Sequence, residues 1–143
     1  VLGDLAANDL VRGQSAATML DRITVAAELG EALAGAIHVQ ENTPENLEVK
    51  REVFSLIDSA ADPRAVIASS SSALLPSKFT DHLQGRHRCL VMHPINPPYL
   101  IPAAEVVPAP WTSAETLERT RAFLIEAGHA PLVMKRELDG FIM

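Results

Sequence analysis

Apolar and polar positions along this chain fall into short runs whose period changes, and the changes mark its elements. Leu2, Leu5, Ala6 and Leu10 recur at helical spacing and predict a helix over 1–13, ended by Gly13. Residues 17–23 read as a short helical turn, 24–26 as a short strand, and 27–34 as a helix stopped by Gly35. A strand follows over 36–41. Asn42-Thr43-Pro44 then reads as a strand-to-helix turn, with Thr43 as cap and Pro44 in the first helical position. Leu47, Val53, Phe54 and Ile57 share one face of the next helix, which stops before Asp62-Pro63. Further strands are predicted at 65–68, 88–92, 103–107 and 130–134, and a short helix at 76–83. Thr112 and Glu115 form the T-x-x-E pattern of a capping box. The helix they open runs through Leu117, Phe123, Leu124 and Ile125 to Gly128. Residues 139–143 read as the start of another helix.

Strands that alternate with helices predict an α/β domain with a mainly parallel, doubly wound sheet. The length, 143 residues, is that of one domain, and 48% hydrophobic residues supply an ordinary core. A net charge of −6 argues against nucleic acid as a partner. Cys89 is the single cysteine, so no disulfide can close within the chain and no cysteine metal cluster can form. That usage suits a reducing, cytoplasmic setting. No apolar run approaches the ~20 residues of a membrane span. His38, His82, His87 and His129 show no metal-ligand spacing, and no metal site is expected.

The candidate chemistry lies between Ser69 and Pro108. Cys89-Leu90-Val91-Met92 is a buried-strand run, and His93 stands where that strand should end. Pro94, Pro97 and Pro98 then forbid helix and fix an extended loop. In an open parallel sheet, ligands sit at the carboxyl ends of the strands. A histidine there can take or give a proton near neutral pH. Ser72, after Val66-Ile67-Ala68, could present its hydroxyl at the same edge, although four adjacent serines cannot be told apart by position. Glu105 lies within Ala103-Ala104-Glu105-Val106-Val107, where a carboxylate needs a partner. A nucleophilic serine triad is disfavoured, because no G-x-S-x-G elbow is present.

The runs SSSSALLPS, HPINPPYLIP and EVVP together resemble the catalytic segment of the 3-hydroxyacyl-CoA dehydrogenase family, on its lambda-crystallin side, which includes L-gulonate 3-dehydrogenase. The resemblance implies a Rossmann-like domain and NAD as cofactor. It implies that His93 is the proton acceptor and donor, that Glu105, twelve residues on, orients it, and that Ser72, twenty-one residues before it, hydrogen-bonds the substrate oxygen near the nicotinamide. Asn96 is placed beside the nicotinamide, and Glu45 and Lys50 at the cofactor. Asn42 replaces a small residue found in many relatives and could alter the nicotinamide pocket. The implied activity is oxidation of a 3-hydroxy acid to a 3-oxo acid. The alternatives are a 3-hydroxyacyl-CoA dehydrogenase of fatty-acid metabolism and a non-catalytic crystallin-like structural protein. A small hydroxy acid or acyl-CoA and a homodimeric full-length protein are the implied partners. None of the seven glycines forms G-x-G-x-x-G. The chain therefore reads, over 1–143, as the later part of a dinucleotide-binding domain. The first βαβ unit and the C-terminal helical domain are expected outside it, and NAD binding by this piece alone should be weak.

Overall fold

The computed structural model describes residues 2–11 and 13–142. They divide into a small N-terminal unit ending at Ala32 and a larger one beginning at Leu33. The N-terminal unit holds α1 (Leu2–Ala7) and α2 (Ala16–Leu20), and α3 (Leu29–Leu33) runs across the division. Ser15 caps α2 by accepting a hydrogen bond from the Thr18 N–H. The strand expected at 24–26 does not form. Val25 is 97% exposed, and a β-branched residue without a neighbouring strand has nothing to pair with.

The larger unit is a five-stranded sheet: β1 (His38–Glu41), β2 (Val66–Ser69), β3 (Cys89–Pro94), β4 (Ala103–Pro108) and β5 (Ala130–Val133), paired in that order. β1, β2 and β3 are parallel, β4 is antiparallel to β3, and β5 is parallel to β4. Helices cover both faces. α4 (Leu47–Ala60) and α5 (Pro76–Thr80) place Phe54, Ile57 and Phe79 against Ile67, Val91 and Val107. α6 (Ala114–Glu126) places Leu124 against Val66, Ala68, Leu90 and Val106. The alternation within β2, β3 and β4 follows from the period of two in a strand. This is a doubly wound, Rossmann-like arrangement, as the sequence predicts.

Three local expectations need correction. The cap of α4 is Asn46, whose side chain accepts from the Val49 N–H, and not Thr43. Thr43 instead donates to the Glu41 carboxylate. The cap of α6 is Ser113, one residue beyond the expected Thr112. The Thr112 hydroxyl is taken by the Cys89 carbonyl at 2.7 Å. Residues 139–142 form a turn rather than the start of a helix, with Phe141 at φ 57° and Gly140 at φ 75°. Under the sheet, Arg88 binds the Asp58 carboxylate at 2.8 Å and the Asp62 carbonyl at 2.6 Å. A Cβ at Gly85 would meet Asp58 Oδ1 at 2.1 Å and Arg88 Nε at 2.6 Å, so any side chain there would displace this ion pair.

Candidate active site

β1, β2 and β3 all end at one edge of the sheet, and β4 begins there because it runs the other way. This geometry explains the twelve-residue step from His93 to Glu105. The chain leaves β3, forms the proline loop, and re-enters so that His93 and Glu105 face each other as a cross-strand pair. The loop is closed by Ile95 N–H to the Ala103 carbonyl and Leu100 N–H to the Pro97 carbonyl. His93 Nδ1 lies 2.9 Å from Glu105 Oε2. The Glu105 side chain is fully buried, while the imidazole keeps 13% of its surface exposed. The other carboxylate oxygen, Oε1, accepts the Ile142 N–H at 2.7 Å. The ring of Phe141 stands 5.9 Å from that of His93. A carboxylate only accepts, so Nδ1 must carry the proton and Nε2 keeps its lone pair. No described residue bonds Nε2. The pair is thus a base held in one tautomer, with its basic nitrogen turned away from the protein's own partners.

A second polar cluster stands on the same face and at the same edge. Glu41 ends β1 opposite Ser69, which ends β2. Lys50, one turn into α4, reaches down between them. Its ammonium is 3.0 and 3.1 Å from the two Glu41 oxygens, 3.2 Å from the Thr43 carbonyl and 3.3 Å from Ser69 Oγ. Ser69 Oγ in turn donates to Glu41 at 2.6 Å. Burial pushes the Glu41 carboxyl up, but the hydrogen bonds from Ser69, Thr43 and Lys50 outweigh it and leave the pKa below the ordinary value. Only Lys50 of this cluster was singled out from the sequence. The helical period carried the signal for its burial, since Lys50 shares its face of α4 with Phe54 and Ile57.

The serine run is sorted by these contacts. Ser69 is held by Glu41 and Lys50. Ser70 receives a hydrogen bond from the Gln40 amide at 2.6 Å. Ser71 donates to Glu45 and accepts from the Leu74 N–H at 2.8 Å. Ser72 is exposed, and among the described residues its hydroxyl has no partner. Glu45 accepts from Ser71 and from the N–H of Leu74. Partial burial raises its pKa, and these bonds, with the charge of Lys50, bring it below the usual value. Asn96 is exposed in the proline loop. The structure therefore joins His93 to Glu105 and ties Glu45 to the serine turn. It seals Lys50, 1% exposed, beneath Glu41, and leaves Ser72 and Asn96 open at the same edge. No hydrogen bond links Ser72 to His93 among the described residues. A cleft of about 350 Å³, lined by Ile37, Asp62, Arg64, Glu115 and Arg119, lies at the opposite edge of the sheet and holds none of these side chains. Among the described residues no cluster of histidine, cysteine and carboxylate side chains could hold a metal, and no helix is long and apolar enough to cross a membrane.

Residues 2–137 match the family model for the 3-hydroxyacyl-CoA dehydrogenase, NAD binding domain. The chain is similar to lambda-crystallin of Oryctolagus cuniculus, with 46% identity over 129 residues, covering 90% of this chain and 40% of that protein. It is similar to an L-carnitine dehydrogenase from a Pseudomonas species, with 37% identity over 131 residues, 92% of this chain and 41% of that protein. Among solved structures, a diketoreductase superposes with a TM-score of 0.90 at 27% identity, over 99% of this chain and 52% of that one. The chain spans about two fifths of the length of the curated relatives it matches.

Proposed function

The chain belongs to the 3-hydroxyacyl-CoA dehydrogenase NAD-binding domain family, whose cofactor is NAD, and from that premise we propose that residues 1–143 are the later part of such a domain and carry its catalytic segment. The reaction is oxidation of a 3-hydroxy acid to a 3-oxo acid. NAD, when bound, supplies the hydride acceptor. His93 takes the hydroxyl proton on Nε2, while Glu105 holds the Nδ1 proton and stabilises the imidazolium that results. Ser72 hydrogen-bonds the substrate oxygen. Asn96 and Glu45 stand at the edge where the nicotinamide half of the cofactor would lie, and Lys50 supports that edge from beneath through Glu41 and Ser69.

The fit of NAD to these residues is partial in a specific way. The edge offers an unfilled imidazole nitrogen and an unpartnered serine hydroxyl, which suit a reacting carbinol and a nicotinamide. The chain offers no glycine fingerprint for the pyrophosphate. The single observation that carries the reading is the 2.9 Å contact between His93 Nδ1 and Glu105 Oε2, with Nε2 unbonded among the described residues. For the substrate, a free 3-hydroxy acid is favoured over a CoA thioester, because an L-carnitine dehydrogenase stands among the relatives.

The test uses the full-length protein that carries this chain, NAD, and two substrate sets: small 3-hydroxy acids, including L-gulonate and L-carnitine, and 3-hydroxybutyryl-CoA. His93→Ala should lower turnover by ~10²–10⁴. Unchanged turnover in that variant would overturn the assignment. Turnover only with the thioester would move the substrate to the acyl-CoA class.

A further inference from the structure

Gln40 precedes Glu41 in β1, so its side chain leaves the opposite face of the sheet. Three groups meet its amide. His38 Nε2 lies 3.0 Å from Oε1, Ser70 Oγ 2.6 Å from Nε2, and the Met92 carbonyl 3.0 Å from Nε2. The chemistry of these partners fixes the orientation of the amide and the tautomer of His38. A carbonyl can only accept, so the group facing Met92 must be the NH2 of the amide. Oε1 then faces His38, and His38 Nε2 must donate. That leaves Nδ1 as the bare nitrogen of the His38 ring, and Nδ1 is indeed buried without a described partner. The ring itself is stacked on Phe123, with centroids 4.6 Å apart and planes 13° from parallel.

The positions of the two acceptors are informative. Ser70 is two residues before Ser72, and Met92 immediately precedes His93. The ladder between β2 and β3 ends at the pair Ser69 and Val91. Beyond that pair no backbone hydrogen bond joins the serine turn to β3 among the described residues, so the Gln40 amide supplies the tie that the ladder no longer provides. We propose that Gln40 is a positioning residue that sets the separation of Ser72 and His93, with His38 fixing which way its amide faces. The inference rests on the reading that Ser72 and His93 act on one substrate.

The test is made on the full-length protein with Gln40→Met, which keeps length and neutrality but removes both amide functions. Turnover should fall by ~10- to ~100-fold, the scale of a misplacement near 1 Å, while the KM for NAD is unchanged. Hydrogen exchange over 69–75 and 89–96 should quicken together in the same variant. Unchanged turnover, or a fall in turnover with exchange unaltered in both segments, overturns the proposal. If His93→Ala leaves turnover intact, the catalytic reading fails; the exchange data still decide whether Gln40 ties the two segments. Should Gln40→Met fail to fold, His38→Phe keeps the stack on Phe123 and leaves Gln40 in place. It should show the same pattern at smaller amplitude, and wild-type turnover and exchange there overturn the proposal.

Discussion

Two polar clusters occupy one face of the sheet at one edge, and their contrast separates support from chemistry. Each pairs a nitrogen group with a buried carboxylate. In the first, the Lys50 ammonium has three protons and four acceptor oxygens around it, and Glu41 takes further hydrogen bonds from Ser69 and Thr43. Every valence is filled, and the side chains of both partners are 1% exposed. In the second, His93 uses one nitrogen on Glu105 and keeps the other unfilled. Burial alone does not distinguish the two, since Glu105 is as deeply buried as Glu41. The difference is the spare lone pair. A saturated pair can only hold strands and helix together, whereas a base braced on one side can exchange a proton on the other.

The largest effect on the saturated side should come from Lys50→Met. It leaves Glu41 buried without its counter-charge, and breaking one side of such a pair costs about 3–5 kcal/mol. Chemical denaturation should show that loss in full. A loss below ~1 kcal/mol, the size of an exposed ion pair, would mean that Lys50 escapes to solvent and that the cluster is not sealed.

Glu105→Gln addresses the open side. The amide preserves volume, and its oxygen can still accept the Ile142 N–H. Its NH2 then faces His93 Nδ1, which must become the acceptor, so the ring proton moves to Nε2 and the base is lost. Turnover of the full-length protein should fall by ~10² or more, by the logic that makes the wrong tautomer so damaging in serine proteases. The denaturation midpoint should move far less than in Lys50→Met. A variant in which stability drops while turnover holds would reverse the roles given to the two clusters.

The sequence made parts of this legible for physical reasons. β2, β3 and β4 are buried on both faces and so appear as short, mostly apolar runs, with Glu105 the one charge inside β4. The antiparallel turn into β4 is not visible in them, because a two-sided run carries no direction. The residues 24–26 look like a strand by propensity alone, and propensity without a pairing partner decides little. Thr43 and Thr112 lost the caps to Asn46 and Ser113 because both threonine hydroxyls have other acceptors, Glu41 and the Cys89 carbonyl, that a local pattern cannot show. At the site, the resemblance of the proline loop drew attention to His93 and Glu105. Gln40, Glu41 and Ser69 were missed as functional partners because the contacts that tie Gln40 to Met92, Glu41 to Lys50 and Ser69 to Glu41 span 52, 9 and 28 positions of sequence separation.

The smallest effect, and the sharpest discriminator, is the response to acid. Glu41 and Glu45 both have pKa values below the ordinary carboxylate range in the folded protein. For such groups the unfolded chain binds protons first as pH falls. Their contribution is complete above ~4.3 and is lost as pH drops through the lowered folded values. The denaturation midpoint should therefore fall in two stages: below ~6.5, where burial keeps His38 neutral in the fold while the unfolded chain gains its proton, and again below ~4.3 through these carboxylates. Glu45 adds little to that decline, because it is exposed and screened. Lys50 helps to lower both groups, so Lys50→Met should make the decline below ~4.3 shallower as well as lowering stability at neutral pH, because the folded pKa values move back toward the unfolded ones that set the onset. If stability at neutral pH falls and the decline keeps its full depth, Lys50 acts through packing alone, and the saturated cluster is held by its serine and threonine hydrogen bonds rather than by charge.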